Sequence, residues 1–154
     1  MPTLEDVYFE FGLASEAAQL LETELGTILF RIGAIEADLF ENPDHDKAYE
    51  ILQFVNRQTV GQLMRSVNKK KESLEELEDI LTRALKERNR LAHSFYREHN
   101  NRRNSEDGRA IMLRDLEYIH DAILDANKAV MRFSGIDLDS MSIDKLPTEH
   151  LPIL

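Results

Sequence analysis

Apolar residues recur at alternating spacings of three and four through most of the chain, and that rhythm predicts helices. Ala14, Ala18, Leu21, Leu25, Ile28, Ile32 and Ile35 form one seam. It belongs to a first helix that starts at Thr3 or at Leu13 and ends near Ala37. Gly26 and Gly33 each weaken that helix by roughly 1 kcal/mol relative to Ala, or else let another helix approach closely. A turn around Pro43 follows, and Asp46 is placed to cap a second helix over about 47–68. Its inward residues are Ile51, Leu52, Val55, Val60, Leu63, Met64 and Val67, and Lys69, Lys70 and Lys71 suit its C-terminal dipole. Ser73 and Glu76 form a capping-box pattern that opens a third helix reaching about His99. After the loop 100–104, Ser105 caps a fourth helix with the seam Met112, Leu116, Ile119, Ile123, Ala126, Val130 and Phe133. Gly135 is a natural C-cap.

All four prolines (2, 43, 147 and 152) lie outside these periodic segments. Beyond Ile136 there is no period. Long amphipathic helices, short loops and no strand signal predict an all-α chain. The expected architecture is an up-down four-helix bundle over 1–135, with an extended tail at 136–154. A fifth short helix is added if Leu4–Gly12 stands apart from the first.

The third helix interrupts its own pattern. Leu74, Leu77, Leu81 and Ala84 lead to Leu91 and Phe95, and the position that continues the stripe between them is Arg88. A guanidinium is almost never buried without a partner, so a charge in that register needs an explanation. Asn89 follows directly and His93 lies five residues on. Arg, Asn and His together suit contact with a phosphate or another oxyanion. On one helix, Arg88 and His93 are about 7.5 Å apart in rise and roughly 140° apart in rotation. Asn89, His93 and Tyr96 share a face. Two helices related by a two-fold axis can pool both sets at one cleft, which makes a homodimer the expected assembly.

Charge sharpens this picture. The 154-residue chain carries a net charge of −10, which by itself argues against nucleic acid. Residues 83–114, however, hold nine Lys/Arg against four Asp/Glu, so the remainder carries −15. A basic edge on an acidic body can hold a short polyanion. Arg90, Tyr96, Arg97, Arg102 and Arg103 are the candidate substrate contacts there. The absence of cysteine excludes disulfides, thiolate metal sites and a Cys nucleophile. No signal-peptide pattern opens the chain and no apolar run approaches the roughly 18 residues that span a bilayer, so a cytoplasmic protein without membrane contact is expected.

The chemistry that fits Arg88, Asn89 and His93 is metal-independent cleavage of an RNA phosphodiester. An imidazole with an ordinary pKa near 6.5 can move the 2′-hydroxyl or leaving-group proton, and a guanidinium can stabilise the phosphorane. No cofactor and no metal are required. Glu117-Tyr118-Ile119-His120 is an E-x-x-H pair, but a di-iron bundle needs a second such pair, which the sequence lacks.

Arg88-Asn89-Arg90-Leu91-Ala92-His93 resembles the Arg-Asn-x-x-x-His motif of the HEPN domain superfamily, as does its place in a late helix of an all-α chain. The resemblance spans about residues 13–134. It implies a dimerising helical bundle whose two motifs form one composite ribonuclease site, often in toxin–antitoxin or other defence systems. Carried over by position, Arg88 and His93 are catalytic and Asn89 supports them, with RNA as substrate and an antitoxin or other protein as a further partner. In family toxins neutralised by a nucleotidyltransferase, a Tyr stands two residues after the His; here that residue is Phe95, and Tyr96 follows it. A catalytically inactive module that binds nucleotide, nucleic acid or protein stays open as the alternative.

Overall fold

The computed structural model describes residues 1–59, 61–63, 65–66 and 75–133. Among these residues there is no strand. Helix α1 spans Leu4–Glu36, α2 His45–Asn56, α3 Glu75–His93, the single turn α4 Phe95–Glu98, and α5 Glu106–Phe133. A 3₁₀ turn at Arg102–Asn104 precedes α5. The all-α expectation holds. The expected tail 136–154 and the caps at Ser73 and Gly135 lie outside the described residues, as do Lys69–Lys71 and the seam positions Val60, Met64, Val67 and Leu74.

Helix α1 starts at Leu4 because Thr3 and Asp6 form a capping box. The Asp6 amide donates to Thr3 Oγ1 at 3.1 Å, and the Thr3 amide donates to Asp6 Oδ2 at 2.7 Å. The helix runs unbroken to Glu36, so Leu4–Gly12 is not a separate short helix. Asp44, not Asp46, caps α2, accepting from the amides of Asp46 and Lys47. The second predicted helix is shorter than expected, for a local reason. Thr59 and Gln62 make another reciprocal box, with the Thr59 amide 2.8 Å from Gln62 Oε1. The chain restarts as a helix at 61–63 and 65–66 instead of running through.

Buried residues of α1, α3 and α5 and Phe95 of α4 form one core cluster, joined by Val55 and Leu63. Its largest side chains are Phe95, Leu21, Leu25, Leu81, Met112 and Leu116. Helices α1 and α5 run in parallel. Arg109 Nε donates to the Pro2 carbonyl at 2.7 Å, and the buried Asn127 amide donates to the Ala17 carbonyl at 2.8 Å. Helix α3 runs against both, placing Phe95 beside Phe11 and Arg90 beside Asp115. Helix α2 is antiparallel to α1, with Val55 over Gly26 and Ile51 over Gly33. A Cβ on Gly33 would lie 2.9 Å from Ile51 Cγ2, so the two glycines do admit a neighbouring helix. The described helices thus alternate within the pairs α1/α2 and α3/α5, while α2 and α3 share a direction.

One close approach fixes the end that carries the motif. Ser105 Oγ accepts from the Gly108 amide at 3.1 Å, capping α5 as the sequence predicts. There α5 presses against the 3₁₀ turn, and a Cβ on Gly108 would sit 2.1 Å from the Arg102 carbonyl oxygen. No described helix is long and apolar enough to cross a membrane.

Candidate functional site at the end of helix α3

The seam of α3 does not pass through Arg88. It runs Leu77, Leu81, Ala84, Glu87, Leu91 and Phe95, all buried. The charge in the core is the Glu87 carboxylate, 3% exposed. Arg88 is half-buried on the flank of the seam. Glu87 is tolerated because Arg90, one turn on, meets it at 2.6 Å, and a buried charge persists when paired.

Arg90 is the hub of a polar network. Its Nη2 donates to Glu98 Oε2 at 2.8 Å and to Asp115 Oδ2 at 2.7 Å, and its Nη1 to Glu87. Three helices are joined by one guanidinium. Glu98 and then Asp115 push the Arg90 pKa up, outweighing the cost of burial. In return Arg90, with help from the Ser94 hydroxyl, holds the Glu98 carboxyl below its ordinary range.

His99 extends the network inward. It is 3% exposed and packs on the Phe95 ring, 4.6 Å between centroids. Its Nδ1 lies 3.0 Å from Arg102 Nη1 and its Nε2 lies 2.7 Å from Asp115 Oδ2. A guanidinium only donates, so Nδ1 accepts and Nε2 carries the proton given to Asp115. Arg90 and Arg102 are thus committed to internal partners. Nothing in the opening chemistry singled out His99, although it continues the spacing Leu91, Phe95, His99 and was legible as a core position.

The other side of the same turns differs. Arg88 Nη1 donates to Asn89 Oδ1 at 3.3 Å. Asn89 and His93 are exposed. Among the described residues no carboxylate pairs with Arg88 or His93. Helix α3 ends at His93, whose carbonyl accepts from Arg97 Nη2 at 3.2 Å. Ser94 breaks the helix with φ −133° and ψ −14°.

The break turns Phe95 inward and leaves Tyr96 at the surface. Tyr96 rests on Phe11, with centroids 5.2 Å apart. Arg103 Nη2 donates to Tyr8 of α1 at 3.0 Å. Tyr8 is 88 residues from Tyr96 in sequence, and no spacing rule connects them. Burial and the neighbouring Tyr8 push the Tyr96 phenol up, opposed by Arg103.

The structure therefore brings Arg88, Asn89 and His93 onto the last two turns of α3, with Tyr96 and Arg97 just beyond. Cavities of about 520 and 650 Å³ flank α2, lined by Thr27 and Phe30 in one and by Gly33 and Phe54 in the other. They lie toward the opposite end of α1 from the motif. Among the described residues no three His, Asp or Glu side chains gather as a metal would need. Compared with protein-family models, curated proteins and solved structures, the chain matches none.

Proposed function

We propose that the chain is a metal-independent endoribonuclease of the HEPN type, working at a composite site formed by two copies, as a toxin or other defence component. The observation that carries this reading is the contrast among neighbouring arginines. In an acidic chain, Arg90 and Arg102 are tied to internal partners, while Arg88 and His93 are left without a carboxylate among the described residues. A guanidinium without a carboxylate and an accessible imidazole, about 7.5 Å apart in rise along the helix, are groups that two copies related by a two-fold axis would pool at one phosphodiester.

In this reading His93 takes the proton of the 2′-hydroxyl. The 2′-oxygen attacks phosphorus and the bond to the 5′-oxygen breaks. The departing 5′-oxygen is protonated by a second imidazole, which a second copy supplies. The products are a 2′,3′-cyclic phosphate and a 5′-hydroxyl. Arg88 balances the charge that builds on the equatorial oxygens. Asn89, bonded to Arg88, limits its rotamers. RNA, a second copy and an antitoxin-type protein are the partners this reading calls for.

The test is cleavage of end-labelled structured RNA in EDTA by wild type, Arg88→Ala and His93→Ala. Cyclic-phosphate ends from wild type alone support the proposal. No cleavage across several RNAs makes the chain a binding module instead, and a strict monomer at micromolar concentration removes the composite site.

A further inference from the structure

We propose that Tyr8 and Tyr96, with Arg103 between them, form a stacking platform for unpaired RNA bases beside the α3 motif. This rests on the RNA reading above for the identity of the polyanion and narrows it to single-stranded substrate.

The surface joins the first turns of α1 to a segment distant in sequence, the break after α3 and the 3₁₀ turn that follows it. Tyr8 is 49% exposed and Tyr96 40% exposed. Both are held in place. Arg103 donates to the Tyr8 hydroxyl at 3.0 Å. Phe11 lies 5.2 Å from the Tyr96 ring, and Phe95 meets it edge-on at 5.3 Å, 82° between planes. Fixed aromatic rings at the surface lose little entropy when a base lands on them. Phe11, one turn past Tyr8 on α1, carries the Tyr96 ring, which sets both tyrosines at the start of the same helix.

The chemistry selects the partner. Every nucleobase offers a π face, and aromatic side chains joined by a cation bind single strands with little sequence preference. A duplex hides those faces within its own stack. Tyr96 lies three residues past His93, which sets the platform at the motif end of α3. Arg97 and Arg102, occupied by the His93 carbonyl and by His99, are not part of this platform.

The chain has no Trp and four Tyr, so tyrosine emission reports directly on stacking. The experiment titrates wild-type protein with a 2′-O-methyl uridine decamer, which cannot be cleaved through its 2′-oxygen, and with a duplex of equal length. The single strand is expected to quench and to bind more tightly. Tyr8→Leu and Tyr96→Leu each weaken binding about tenfold or more, Tyr96→Phe retains it, and Tyr49→Phe and Tyr118→Phe leave it unchanged. Equal binding of duplex, or unchanged affinity in both Leu variants, overturns the platform. Should a Leu variant not fold, photocrosslinking wild type to a 4-thiouridine decamer decides. Crosslinks in the peptides holding Tyr8 and Tyr96 support the proposal, and crosslinks only elsewhere overturn it. Cleavage of ordinary RNA without quenching removes the platform and leaves the ribonuclease reading. Quenching without cleavage does the reverse.

Discussion

The two sides of the last turns of α3 use the same residue types for opposite ends. On one side Arg90, Glu87, Glu98, Asp115, His99 and Arg102 satisfy one another within hydrogen-bond distance. On the other, Arg88 meets only the neutral Asn89 side chain among the described residues, and His93 faces solvent. Partnering divides them more sharply than residue type or exposure. A guanidinium that already meets three carboxylates has little left for a phosphate, whereas one with a single amide contact keeps its charge available. The saturated side also joins α3, α4 and α5, so it holds in place the surface that the free side presents.

The sharpest way to break this contrast is through activity. His93→Ala and Arg88→Ala are each expected to lower RNA cleavage by about 10²–10⁴-fold. Both should unfold at the same urea midpoint as wild type, because neither side chain has a charged partner among the described residues. Single-turnover cleavage in EDTA, paired with denaturation of the same samples, checks both halves. A large loss of stability in either variant would move Arg88 or His93 to the structural side.

Arg90→Met tests the saturated side. Breaking a buried pair costs about 3–5 kcal/mol. The Arg90 side chain is 25% exposed while that of Glu87 is 4% exposed, so a loss of about 3 kcal/mol is expected, mostly from the stranded Glu87. The double variant Glu87→Gln/Arg90→Met should recover part of it. If Arg90→Met instead folds with wild-type stability and loses RNA binding, Arg90 belongs with the substrate contacts.

A smaller effect separates Arg102 from Arg103. Arg102→Met removes the donor to His99 Nδ1 and leaves a buried acceptor open, at a cost of about 1–2 kcal/mol. Arg103→Met removes only an exposed bond to Tyr8 and should change stability by less than about 0.5 kcal/mol. The sequence offered these two adjacent arginines as equivalent; urea titration distinguishes them.

That equivalence shows where sequence reading stops. Helix type, the α5 seam from Met112 to Val130, the α1 seam apart from Ile35, which is 65% exposed, and the Ser105 cap follow from local periodicity and capping chemistry, which neighbouring residues determine. The α2 break was legible in principle as the Thr59–Gln62 box, but the apolar spacing through Val55 and Leu63 masked it. Placing Arg88 in the core register failed by one residue. From Ala84 the stripe steps three to Glu87 rather than four to Arg88, and Arg90 supplies the counter-charge that lets a carboxylate sit there. Asp115 and Tyr8 reach this end of the molecule only through tertiary packing, and no local spacing announces them.

The smallest effect is a pH dependence confined to the saturated side. Arg90 and Ser94 hold the Glu98 carboxyl below its ordinary range. A depressed carboxylate contributes stability above its unfolded pKa, and that contribution is lost as pH falls through the folded value. Glu98 is largely solvated, so the contribution at neutral pH is at most about 1 kcal/mol. Glu98→Gln should therefore be slightly less stable than wild type at pH 7, and the two should converge as the carboxyl is protonated in acid. Urea midpoints at pH 7, 5, 4 and 3 measure this. A gap that stays constant to pH 3 would mean that Glu98 acts through packing or through its Ser94 contact, and that Arg90 is held by Asp115 and Glu87 alone.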